Sequence, residues 1–146
     1  MRGQISLDAI FAVTLITITI MSLVSLSSHE VNGVKSLGDA ARLKVFAISL
    51  RDTVVQVYST NGNFSVRKEL PLKLGQGDWV NVTLNSTAGT LRVVARIGGN
   101  EYITMEKIPV FLESTSSVVL TAENNTLWVV GRYEKGVMDV RLSKKP

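Results

Sequence analysis

Cysteine is absent from the 146 residues, so a disulfide framework, a thiolate metal site, a thiol nucleophile and a dithiol redox motif are excluded together. Histidine occurs once, at His29, which leaves no second imidazole for a zinc site and one candidate for any Ser-His-Asp relay. Charge is sparse: 19% of residues are charged against a usual quarter, while 45% are hydrophobic and the mean hydropathy is +0.23. The length fits one domain, and the surplus apolar character must be concentrated somewhere along it.

A phosphate loop, a dinucleotide fingerprint and a calcium loop are also missing. The acids Asp78, Glu101, Glu106, Glu113, Glu123, Glu134 and Asp139 are spread among strand and turn patterns, with no motif to converge any two of them. The chain therefore reads as a non-enzyme that takes no cofactor and no metal. The formal charge is +4, but the basic residues are scattered, with Lys144 and Lys145 the one notable cluster, so a solvated surface is expected rather than nucleic-acid binding.

The apolar surplus lies at the front. Residues 9–28 contain no charge and no proline, and include Ile10, Phe11, Val13, Leu15, Ile16, Ile18, Ile20, Met21, Leu23, Val24 and Leu26. As a helix these 20 residues span about 30 Å, the thickness of a bilayer's hydrocarbon core. Arg2 precedes the run and about 118 residues follow it, so the positive-inside rule predicts an inserted precursor with its N-terminus in the cytoplasm and its C-terminus outside. The run is longer than a secretory signal core and enters Ser27-Ser28-His29-Glu30 without a small-x-small cleavage pattern. Its hydroxyls, among them Thr14, Thr17, Thr19 and Ser22, either help neighbouring helices approach or simply bond back to the preceding turn, the second being the commoner use.

The residues before the run are Arg2-Gly3-Gln4-Ile5-Ser6-Leu7-Asp8, with a carboxylate just inside the border of the apolar helix, where it needs the headgroup level or a cation. A basic residue and glycine followed by Gln-x-Ser-x-acid resembles the class III signal peptide of archaeal type IV pilins, whose leader is cut before the hydrophobic segment. The resemblance implies a leader of residues 1–3, cleavage between Gly3 and Gln4 by a membrane prepilin peptidase, and Asp8 as the fifth residue of the mature chain. It further implies that Asp8 of one subunit pairs with the Gln4 amine of another during assembly, and it names self, an assembly ATPase and a membrane platform protein as partners.

Beyond Ser28 the helical pattern persists, with Val31, Val34, Ala41, Val45, Ile48 and Val55 near heptad spacing and Gly38 in the same row. This predicts one helix over 4–60, membrane-spanning at 9–28 and amphipathic at 29–60, ending at Asn61-Gly62-Asn63, with Asn32-Gly33 and Gly38 as candidate bends. From residue 64 the pattern alternates, as in Trp79-Val80-Asn81-Val82-Thr83-Leu84-Asn85. Seven strands are expected, at 64–74, 79–85, 90–97, 101–107, 117–122, 126–133 and 136–142, with hairpin turns at Gly98-Gly99-Asn100 and Glu123-Asn124-Asn125. The fold class is thus α+β: a long N-terminal helix, then an antiparallel β-sandwich over 61–146, immunoglobulin-like or pilin-like.

Asn63, Asn81, Asn85 and Asn124 each begin an Asn-x-Ser/Thr sequon, where this composition gives about 1.4 by chance. Asn81 and Asn85 share one strand face and are expected in solvent, where both can carry glycans, while Asn63 and Asn124 fall at turns. Trp79 and Trp128 read as strand-packing aromatics rather than ligand platforms.

Three functions remain at this stage. The first is the structural subunit of an extracellular filament like an archaeal type IV pilus, used in adhesion, held in the membrane before assembly and polymerised through its apolar helix. The second is a minor pilin or pseudopilin with the same leader. The third is an uncleaved, single-span surface protein whose sandwich binds a partner.

Overall fold

A computed structural model describes the backbone of residues 2–134 and 136–146, and the side chains of 8–28, 30, 33–134 and 136–146. The chain is one long helix, α1 (Arg2–Ser59), followed by seven strands: β1 (Phe64–Glu69), β2 (Trp79–Asn85), β3 (Thr90–Ile97), β4 (Asn100–Lys107), β5 (Ser116–Thr121), β6 (Thr126–Glu134) and β7 (Val137–Ser143). All pairings are antiparallel and make two sheets, ordered β1-β6-β7 and β4-β3-β2-β5. The immunoglobulin layout pairs the first strand with the second, whereas here the first pairs with the sixth.

The residues fall into two units, Met1–Gly38 and Asp39–Pro146. The compact unit therefore begins inside the helix, not after it. Leu43, Phe46, Ala47, Leu50, Val54 and Val57 of α1 are buried, at the three- and four-residue spacing of one helix face. They join Val80, Val82 and Leu84 of β2, Leu91, Val93, Ala95 and Ile97 of β3, Val118 and Leu120 of β5, Leu127 and Val129 of β6, and Met138, Val140 and Leu142 of β7 in one core. Full burial of each large side chain contributes about 1.5–3 kcal/mol.

The upper half of the helix thus packs on the strands, but through a face other than the heptad row. Val45 is 64% exposed, Ala41 is exposed, and Ile48 and Val55 are half-buried, because Leu43, Phe46 and Leu50 on the adjacent face offer more apolar area to the sheets. Helical hydrogen bonding continues through Gly33 and Gly38. Ion pairing between Asp39 and Arg42, three apart, is not formed among the described residues.

Within the compact unit α1 closes the open side between the two sheets. Lys68 Nζ of β1 donates to Ser49 Oγ at 3.1 Å, and Lys44 Nζ reaches Glu106 of β4 at 2.5 Å, so the helix covers the edge strands of both sheets. The opposite edges, β5 and β7, meet through side chains. The Leu142 amide donates to Ser116 Oγ at 2.9 Å, and Ser114 Oγ donates to Asp139, which also pairs with Arg141.

Two local expectations change. The first strand runs only to Glu69: the Leu70 amide makes one more bond in the same register, to the Asn125 carbonyl at 2.9 Å, and Pro71 then has no amide to offer a ladder. The turn at Glu123 and Asn124 closes with reciprocal backbone bonds between Thr121 and Asn124, yet its strands enter different sheets, so it is a corner rather than a hairpin. The hairpin expected at Gly98-Gly99-Asn100 is present with a two-residue loop, Asn100 of β4 pairing with Ile97 and both glycines having positive φ, at 56° and 84°.

Candidate functional site

The feature that distinguishes this chain is the apolar surface of α1. In the first unit every large apolar residue from Ile10 to Leu26 is exposed, between 55% and 68%. The helix contains a stretch long and apolar enough to cross a membrane. Thr14, Thr17, Thr19, Ser22 and Ser28 each donate to the carbonyl four residues earlier, at 2.8–2.9 Å, so these hydroxyls satisfy themselves within the helix and add little polarity to its surface. Exposing that surface to water costs about 25 cal/mol per Å² of apolar area, so it demands lipid or protein around it.

Among the expected processing and assembly residues, Gly3 and Gln4 lie outside those whose side chains are described, as does His29. Asp8 is exposed at the start of the apolar run.

In the compact unit the outward face of α1 carries Ala41, Val45, Ile48 and Val55 beside a polar lock that sequence reasoning did not find. Glu106 of β4 is buried, its side chain 11% exposed, between Lys44 Nζ at 2.5 Å and Arg51 Nη1 at 3.7 Å. The Lys44 contact is an ion pair at an angle unsuited to a hydrogen bond. Arg51 also grips Asp52, with bonds of 3.0 and 2.7 Å, and that hydrogen bond, aided by the charges of Asp52 and Glu106, raises its pKa. Lys44 and Arg51 are seven apart, two turns on one helix side, which is the one sequence signal for the lock; its partner 55 residues away was not legible.

The four sequon asparagines divide by environment. Asn63 is exposed and its Oδ1 accepts from the Tyr133 amide at 3.1 Å. Asn81 lies on the outer face of the four-stranded sheet, as expected, but half-buried, and accepts from Ser117 Oγ at 2.7 Å. Asn85 is half-buried and shapes the β2–β3 turn by accepting from the Ala88 amide at 2.9 Å, and Asn124 accepts from Thr126 Oγ1 at 3.3 Å. The oxygen is the engaged atom in every case, and no described group accepts from any of the four Nδ2 atoms, where a glycan would attach.

Trp79 and Trp128 are half-buried on outward strand positions, opposite Arg96 and Arg67 in register, so they pack on the sheet faces and not in the core. Asp78 is a staple: its oxygens accept from the Gly75 and Gly98 amides, both at 2.9 Å, tying the β1–β2 loop to the β3–β4 hairpin. No family model, curated protein or solved structure matches this chain.

Proposed function

We propose that this chain is the structural subunit of an extracellular filament resembling an archaeal type IV pilus, serving in adhesion. The observation that carries the reading is the division of labour on α1. One helix face, Leu43 to Val57, completes the core, while Val45 and the whole apolar run from Ile10 to Leu26 stay uncovered. Helices with a free apolar surface can exchange lipid for copies of themselves without exposing that surface to water.

The precursor sits in the cytoplasmic membrane with its N-terminus inside and its strands outside, and a prepilin peptidase cuts between Gly3 and Gln4. Cleavage removes Arg2 and leaves a free amine at Gln4. Asp8 of one subunit then pairs with the Gln4 amine of a neighbour as the helices bundle, which offsets the cost of a carboxylate leaving the headgroup level and sets the axial register. An assembly ATPase and a platform protein drive the exchange, and the sequons place glycans on the filament's outer surface.

Val45→Glu tests the reading, because Val45 touches the filament and not the core. The variant is expected to keep its β-domain folded by circular dichroism and to be cleaved, yet to yield no filaments in electron micrographs of the cell surface. Filaments of normal number and length would count against polymerisation through α1.

A further inference from the structure

The loop between β4 and β5, residues 108–115, is pinned by Ile108 and Leu112, which are buried in the core. Between them Phe111 stands 69% exposed, more than any other aromatic side chain of the compact unit. An aromatic side chain on a loop whose base is fixed by buried neighbours has the form of an interface anchor, because little of its ordering is left to be lost on contact.

The same unit has a vacancy of matching chemistry. An open groove of about 700 Å³ runs along the outward side of α1, lined by Arg51, Asp52, Val55, Lys107, Ile108 and Pro109. Val55, Ile108 and Pro109 give it an apolar floor. Arg51 is already committed to Asp52 and Glu106, whereas Lys107 on the rim is exposed and forms no ion pair among the described residues. Glu113, two residues beyond Phe111, is likewise exposed and has no ion-pair partner among the described residues. One loop and the groove it borders thus offer an aromatic knob with a carboxylate beside it and an apolar floor with a free ammonium at its edge, Phe111 lying two residues beyond Pro109.

We infer that the groove receives Phe111 from a second copy of this chain, with Glu113 of the incoming copy meeting Lys107 of the receiving one. Knob, groove and both charges belong to the same chain, which favours a second copy over an unrelated partner. Val55 strengthens the choice, because this groove wall belongs to the same outward row as Val45 and Ile48, so the contact continues the helix surface assigned to assembly. Each copy gives one knob and takes one; used reciprocally such a contact closes a two-fold pair, and used head-to-tail it propagates when its rotation does not complete a ring, so the filament reading selects the head-to-tail form. The inference rests on the filament reading and adds to it a contact between β-domains.

A photo-crosslinking benzoylphenylalanine placed at position 111 of the full-length chain tests it, with isotopically heavy copies mixed in to mark links between molecules. The expected result is a ladder of multimers in which residue 111 of one copy is joined to the Arg51–Val55 or Lys107–Pro109 segment of another. Phe111→Ser should weaken self-association about tenfold or more. Lys107→Glu should weaken it as well, and adding Glu113→Lys should restore it.

Links to other segments in filaments that still form would overturn this contact and leave the filament reading standing. A product that stops at a dimer would mean a closed two-fold pair and would overturn the head-to-tail contact. A native chain that forms no filaments under any condition would remove both.

Discussion

Gly131 of β6 lies so close to α1 that a Cβ on it would sit 2.6 Å from Val57 Cγ1, with Met138 Cε pressing from β7. Helix and three-stranded sheet meet there with no room for one more carbon. Gly131→Val is therefore expected to destabilise the compact unit by about 1–3 kcal/mol, seen as a fall of several degrees in thermal midpoint. An unchanged midpoint would mean that α1 does not press on β6 at this point.

Adjacent residues on α1 should behave in opposite ways. Phe46 is buried and Val45 is 64% exposed. Phe46→Ala is expected to cost about 3–5 kcal/mol in denaturant unfolding, whereas Val45→Ala should stay within about 0.5 kcal/mol. Equal effects would contradict the assignment of the two faces.

The strands and the helix were legible from residues alone because their signals are local. The alternation around Val80, Val82 and Leu84 and the Gly98-Gly99 turn place β2, β3 and β4 within a residue of where they lie. The packing face was not legible because α1 is apolar on two sides in this region, and heptad spacing picks out the row that stays outside. Weighting by side-chain size would have chosen Leu43, Phe46 and Leu50. Sheet membership was not legible: the corner at Thr121–Asn124 has the composition of a hairpin turn, and only long-range pairing of β5 with β2 and β6 with β1 separates the two. Of the candidate site, the apolar run and the sequons were visible in sequence, while the Glu106 lock and the Phe111 groove depend on contacts between distant segments.

The lock has an asymmetric energetics. Glu106 is nearly buried, but Lys44 is 53% exposed on its side chain and can turn to water. Removing the carboxylate, as in Glu106→Gln, should cost less than about 1 kcal/mol, since both cations resolvate. Lys44→Met combined with Arg51→Met leaves a buried carboxylate without a counter-charge and should cost about 2–3 kcal/mol. Unfolding measurements on the two variants check the order, and the reverse order would show that the cations, not the carboxylate, bear the desolvation.

Glycan occupancy should follow exposure. Asn63, exposed before β1, is expected to be the most fully modified sequon in glycopeptide mass spectra, ahead of half-buried Asn81 on its strand. Higher occupancy at Asn81 than at Asn63 would indicate that modification precedes folding of the four-stranded sheet.

The central claim is that this chain is processed and polymerised as a pilin. The most direct measurement is the N-terminal peptide mass of native protein sheared from the cell surface. A chain beginning at Gln4, recovered in filaments, is the predicted result, while one beginning at Met1 would contradict processing and point to a membrane-anchored surface protein.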